Sequence, residues 1–302
     1  GRKLANWAKP PSLNALMQYF FGVVVLMSSP IRTASRLLLM ALVALWILPS
    51  QAAQLVRIGA AHFPPYTVRP ESGADTGLLP QLVEALNALQ NDYQFVLVPT
   101  SIPRRFGDFK QGRVDMAIFE NPDWGWKDIP HTSVDMGLED AEIFVAQRQH
   151  EGQPVRQQNY FADLTGKRLA MFSGYHYEFA GFNADPKFLA QNYNATLTYS
   201  HDSNLLMVLR GRADIALVTR SYLSDYFLRN DKVADQFLVS ERIDQVYHHY
   251  AILRPASPIS SEAFGKLMQG LRDNGQMLRI FDPYKIAVLP VPATQSAPQL
   301  AN

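Results

Sequence analysis

The chain has 302 residues, is 47% hydrophobic and 18% charged, and carries a formal net charge of +1. This is apolar enough for a sizeable core and argues against wholesale disorder, and the length allows one large domain or two small ones. Five cations, Arg2, Lys3, Lys9, Arg32 and Arg36, lie in residues 1–53, which hold no acid, so the remainder has 23 basic against 27 acidic residues. A mildly acidic body has no broad electrostatic footprint for nucleic acid.

Residues 1–26 start at Gly1 and include the apolar patch ALMQYFFGVVVLM at 15–27; they read as an upstream extension ahead of a start at Met27. Residues 27–53 read as a secretory signal peptide. Arg32 and Arg36 form a positive entry, 37–48 is an apolar core, Pro49 breaks it, and Ser50, Ala52 and Ala53 are the small residues of a cleavage site. The sequence contains no cysteine, so there is neither a disulfide nor a lipid attachment point at that site. A free protein in the periplasm is the expectation.

Leu55, Val56 and Ile58 suit a buried strand, which leads into a loop held by Pro64 and Pro65 and carrying Phe63 and Tyr66. A helix is predicted over 78–89, with Pro80 in its first turn and Leu79, Leu82, Val83, Leu86 and Leu89 on one face. A strand follows over 93–99, then a short helix over 103–111. The phrase GRVDMAIF at 112–119 then reads as Gly stop, turn and buried strand. The second half repeats the order: strand 166–172 ending at Ser173-Gly174, a helix starting over 175–182, strand 195–200, a helical stretch 203–211, and GRADIALV at 211–218. Asp115 and Asp214 occupy the same place in the two phrases and can tie down each turn. A helix over 221–230 follows.

Strands alternating with helices in both halves predict two α/β lobes with parallel-rich sheets. AEIFVAQR (141–148) and VYHHYAILRP (246–255) fit neither half and are read as crossovers. Lobe one is then 54–143 plus a return segment 250–290, and lobe two is 144–249. Beyond VYHHYAILRP, one helix stops at Asn274-Gly275 and a short one follows. The Pro- and Ala-rich stretch from Ala287 is expected to be disordered, with 291–302 as tail.

In this order, VRIGAAHFPPYT, TGLLPQLVEALN, QGRVDMAIF, DLTGKRLAMFSG, RGRADIALV and LRDNGQMLRIFDPY resemble the bacterial extracellular solute-binding proteins of family 3, the polar amino acid type that feeds ABC importers. The resemblance spans roughly residues 54–286 and implies a type II, periplasmic-binding-protein-like fold: two α/β lobes, two hinge strands and a central ligand cleft. It also implies a small-molecule ligand and an ABC permease in the inner membrane as partners. The expected protein is a monomer without cofactor or metal. Two departures bear on the ligand. Where relatives carry a Thr-rich stretch and an Arg that clamps a carboxylate, this chain reads ENPDWGWKD. Where they carry an Asp for the ligand ammonium, it has Thr219 followed by Arg220. A polar or aromatic, amino-acid-like solute is expected in place of an ordinary α-amino acid.

The expected binding residues are Phe63 and Tyr66 as stacking walls, Trp124 and Trp126 with one in the cleft and one in the core, and Glu120 as a counter-charge or a structural carboxylate. Arg105 is a further candidate, as are Gly174, Tyr175 and His176 at a helix N-terminus able to hold an anion. Thr219 and Arg220 complete the set. His248 and His249 alternate in a crossover, one facing in and one out. No catalytic residue is assigned: G-x-S-x-G, H-E-x-x-H and a glycine-rich phosphate loop are all missing. A dehydratase-like enzyme using Glu120 or Asp202 as base, and a ligand-sensing partner of a membrane receptor, stand as alternatives.

Overall fold

The computed structural model describes residues 52–73 and 76–292, so the extension 1–26 and the signal segment up to residue 51 lie outside it, as does the tail from 293. The first lobe opens with β1 (Gln54–Ala60), α1 (Leu78–Leu89), β2 (Tyr93–Pro99), α2 (Arg105–Lys110) and β3 (Met116–Glu120). Strand β4 (Thr132–Gln147) leaves it. The second lobe holds β5 (Leu169–Phe172), α3 (Pro186–Tyr193), β6 (Ala195–Thr198), α4 (His201–Leu209), β7 (Ile215–Thr219) and α5 (Arg220–Arg229). Strand β8 (Phe237–Leu253) returns, followed by α6 (Ser261–Asp273), α7 (Gln276–Phe281) and β9 (Ala287–Val288).

The strands run in the order β2-β1-β3-β8-β4-β7-β5-β6, with β9 added to β4. Within each lobe β1 and β5 are flanked by parallel neighbours. The two long strands β4 and β8 are antiparallel to each other and to the strands beside them. The sheet is therefore two parallel pieces joined through one long antiparallel ribbon. Met136 and Leu138 at the start of β4 join the first lobe's core with Leu82, Phe95, Phe264 and Phe281. Further along, Ile143 and Val145 pack with Leu205 and Leu223 on one face, and Phe144 with Met171 and Leu189 on the other. One strand thus serves two separate cores.

The repeated phrase does the same job in each lobe. Gly112 and Gly211 take φ of 71° and 67°, the left-handed region glycine enters without penalty. Asp115 and Asp214 reach past the turn to the neighbouring strand. Asp115 accepts from Arg57 N at 2.8 Å and Arg57 Nη2 at 2.9 Å, and Arg254 adds a second guanidinium. Asp214 accepts from Arg168 N at 2.7 Å and Nη2 at 3.1 Å. Each carboxylate ties the approach to the third strand of its lobe to the first strand, at mid-strand Arg57 in β1 and at Arg168 just before β5.

Four expectations change. The crossovers at 141–148 and 246–255 are the ends of strands 16 and 17 residues long. Polar residues and Gly137 mask the rest, which pairing with a neighbour nonetheless holds extended. The helix expected over 175–182 is a turn with a 3-10 segment, Glu178–Ala180, closed by Gly181 at φ 64°. Pro186–Tyr193 is an unexpected helix, started by Asp185, whose side chain accepts from Phe188 N. Ala287–Val288, assigned to a disordered stretch, pairs with β4 because Leu289 N donates to Gly137 O at 2.7 Å and Ile286 is buried.

Asp115 is fully buried between two arginines, whereas Asp214 is a quarter exposed and has one. Asp115→Ala is expected to cost about 3 kcal/mol, since it strands two partly buried guanidinium groups, and Asp214→Ala about 1 kcal/mol. Urea midpoints measured on both variants check the order.

Candidate ligand cleft

Between the lobes, β4 and β8 present one shared face. Asp140 lies opposite Tyr247, Glu142 opposite Gln245, and Leu138 opposite His249, so Asp140, Glu142, Tyr247 and His249 point the same way. Asp140 is the centre. Its carboxylate accepts from the Tyr66 hydroxyl at 2.6 Å, the Ser221 hydroxyl, Ser221 N at 3.2 Å and Ala141 N at 2.8 Å. Tyr66 comes from the β1–α1 loop of the first lobe and Ser221 from the first turn of α5 in the second, where the helix dipole favours a negative charge. His249 Nε2 donates to the Tyr66 hydroxyl at 2.7 Å. Burial raises the Asp140 carboxyl, and its four donors oppose that shift. Burial holds His249 neutral, its pKa pushed down to about 3.

Aromatic rings surround this centre. Phe63 stacks on Tyr66 at 4.8 Å and meets Tyr175 of the second lobe edge-on at 6.3 Å. Trp124, on the loop after β3, meets Tyr247 edge-on at 5.4 Å. Phe119, with φ of 59° beside an irregularity in the β3–β8 register, lies 4.5 Å from Tyr66. There Phe119 is buried in the first lobe's core between Tyr66, His249 and Phe281, while the next residue, Glu120, bonds Arg105 and Trp126.

Of the expected residues, Phe63, Tyr66, Trp124 and Tyr175 come together here. Trp126 is the core member of its pair: fully buried, it packs on Phe106 and Phe109 at 4.7 and 4.9 Å. Glu120 accepts from Trp126 Nε1 at 3.0 Å and from Arg105 Nε at 2.6 Å. Burial raises its pKa and Arg105 opposes the shift, so Glu120 and Arg105 spend their charges on each other. Gly174 is exposed with φ of 88°. His176 is exposed and bonded to Phe182 O at 2.7 Å. The anion site expected at this turn is filled by the chain itself, because Asp244 accepts from Glu178 N at 2.8 Å and Phe179 N at 2.9 Å. Thr219 caps α5, accepting from Tyr222 N at 3.1 Å. Arg220, the first residue of α5, is partly buried. His248 faces the other way and bridges Asp135 at 2.7 Å and Glu139 at 3.0 Å.

Asp140, Glu142 and Tyr247 did not stand out in the sequence. The available signal was LEDAEIFV, where two acids at period two interrupt an apolar strand; a buried carboxylate there needs a partner. Glu142 is fully buried, accepts from the Tyr247 hydroxyl at 2.7 Å through Oε2, and has no partner at Oε1 among the described residues. Burial, and the nearby negative charges of Asp140 and Asp244, push its pKa up to about 8. His201 was also missed as a binding candidate: it is buried between the rings of Phe172 and Tyr222, each at 4.6 Å, and is held neutral.

Two lobes on a shared antiparallel ribbon, with aromatic and acidic side chains buried where the lobes meet on it, define the periplasmic-binding-protein-like class of fold. No protein-family model and no curated protein matches this chain. Solved structures do. A histidine kinase sensor domain with similarity to periplasmic binding proteins superposes with a TM-score of 0.55 at 17% identity, covering 80% of this chain and 99% of that one. An ancestral arginine-binding protein bound to arginine gives 0.55 at 15% identity, over 76% and 97% of the two chains. A probable amino-acid ABC transporter extracellular-binding protein from Bacillus subtilis gives 0.56 at 16%, over 76% and 96%. The resemblance read from the motifs therefore holds at the level of the fold.

The raised Glu142 pKa carries a sign. The unfolded chain releases this proton near the ordinary carboxyl value of 4.5, the folded chain only at about 8. Between those values the folded state binds more protons, so stability falls as pH rises. Glu142→Gln is expected to remove that loss. The variant should match the parent near pH 5 and exceed it near pH 9, by up to a few kcal/mol. Thermal melts across this pH range check it.

Proposed function

We propose that the protein is a solute-binding protein of the periplasmic type that captures a small polar or aromatic, amino-acid-like solute by closing its two lobes, for delivery to an ABC importer in the inner membrane. The observation that carries this reading is the junction at Asp140, where a loop of the first lobe and a helix of the second meet on the strands that join them. Hinge closure of this kind shares a ligand between walls from both lobes. Phe63, Tyr66 and Trp124 supply one wall, Tyr175 the other, and Tyr247 the floor. The arginine-binding and ABC-transporter proteins of this fold support capture for transport. The signal segment read in 27–53 supports export, and no helix among the described residues is long and apolar enough to cross a membrane.

A second reading is favoured by the sensor-domain neighbour, 99% of which this chain covers. In that reading the same closure reports the solute to a membrane receptor. Both readings keep the ligand chemically unchanged, unlike a dehydratase, so recovery of unaltered ligand after prolonged incubation separates binder from enzyme.

A thermal-shift screen of the twenty amino acids, polyamines, aromatic acids and small peptides is expected to yield a ligand that compacts the protein in solution scattering. Trp124→Ala should weaken it at least about tenfold by removing one aromatic wall. Unchanged scattering at saturation would count against lobe closure. Tyr66→Phe removes the hydroxyl that joins Asp140 to His249. The unliganded variant is expected to show a larger radius of gyration than the parent while both cores stay folded.

A further inference from the structure

Asp140 and Glu142 stand two residues apart on one face of β4, both buried. Asp140 is satisfied by four donors, but among the described residues Glu142 has one donor and an unpartnered oxygen. The groups facing Glu142 are uniformly neutral or acidic. They are Asp140 on its own strand, Tyr247 and Asp244 on β8, and Tyr175 and Tyr177 on the turn after β5. Its cross-strand neighbour on β7 is Thr219. Among the described residues no lysine or arginine forms an ion pair with Glu142 or Asp140. The cationic anchors of the first lobe are engaged elsewhere: Arg105 on Glu120, Arg57 and Arg254 on Asp115.

A buried carboxyl with an unpartnered oxygen, near two further acids and paired with no lysine or arginine among the described residues, is costly in its charged form unless something positive joins it. The rings beside it suit the same visitor. Tyr247 carries the hydroxyl that holds Glu142, Trp124 lies edge-on to Tyr247, and Tyr175 faces Phe63. Aromatic rings around a desolvated acidic group favour an organic cation.

We propose that the cleft is specific for an organic cation, with Glu142 Oε1 as its counter-charge and Trp124, Tyr175 and Tyr247 as its aromatic surround. This rests on the solute-binding reading above and names the ligand class within it. The ammonium or guanidinium takes the vacant acceptor, and Asp140 acts through its negative field, since its oxygens are already engaged. In the ligand-free protein near neutral pH Glu142 holds a proton, and a permanent cation displaces it to solvent. Affinity therefore rises with pH, about tenfold per unit below the Glu142 value and level above it. The absence of an arginine clamp in ENPDWGWKD fits a ligand recognised by its positive end.

The test uses the purified full chain and two matched pairs of probes: choline with its uncharged tert-butyl analogue, and arginine with citrulline. Calorimetric titrations at about pH 6 and about pH 9, in buffers of different ionisation enthalpy, read affinity and proton release together. At least one cation is expected to bind, with its uncharged partner at least about a hundredfold weaker. That cation should bind tighter at the higher pH and release a proton at the lower one. Glu142→Gln should lose about a hundredfold for the cation and lose the pH slope, while a melting temperature at or above the parent's shows that it folds. An uncharged partner that binds as well as its cation, or a Glu142→Gln variant with parental affinity and slope, overturns the inference. So does silence from both cations while another solute of the wider screen binds; in these three cases the solute-binding reading survives. Silence from every solute overturns both.

Discussion

Strands β4 and β8 are the constraint on which the molecule is built. Each is long enough to be a core strand twice, first in one lobe and then in the other, and they lie against each other through the change-over. Because their backbone hydrogen bonds are made mutually, the ribbon survives between the two cores, where no apolar layer covers both of its faces. Polar side chains can therefore be placed in the middle of a sheet. Asp140 takes advantage of this position: one carboxylate gathers a tyrosine from one lobe, a helix start from the other and, through that tyrosine, a histidine from the second strand. A satisfied buried network of this kind specifies one geometry and is costly to leave partly made.

The lobes solve the same packing problem with the same grammar and different energy. In both, a helix ends at a left-handed glycine and the following aspartate bonds the lobe's first strand, at mid-strand Arg57 in one and at Arg168 just before β5 in the other. In the first lobe the carboxylate is dry and shared between two arginines, one of them on the loop that follows β8. In the second it is wetter and has one partner. The first lobe is thus clamped where the chain leaves and re-enters it, which suits a lobe built from two separated segments.

Around the cleft, the division of labour among aromatic residues follows their surroundings. Trp126 and Trp124 are two residues apart, yet one is locked under Phe106 and Phe109 and the other reaches Tyr247. The carboxylates divide in the same way. Glu120 has a guanidinium and an indole as partners, whereas Glu142 has a single phenol and stays protonated to higher pH. The difference in partners, more than in depth, separates an acid engaged through both oxygens from one that keeps an unpartnered oxygen among the described residues.

Much of the fold was legible in the chain. The period of α1, the glycine stops, the repeated eight-residue phrase and the alternation of strand and helix are local patterns, set by backbone conformation and by which side chains must leave water. From them came the two α/β lobes and the helix-to-strand order within each. The long ribbon was not legible, because Thr132 to Asp140 is held extended by pairing with β8 and its own residues alternate too irregularly to announce a strand. Nor was the turn at Tyr175, where the distant Asp244 takes the backbone N–H groups that a helix would otherwise have offered to an anion. The fates of Glu120, Asp140 and Glu142 were decided only by the tertiary structure. A carboxylate's chemistry depends on which donors come within about three ångströms of it, and for Asp140 and Glu142 the side-chain donors, Tyr66, Ser221 and Tyr247, come from residues far away in the chain.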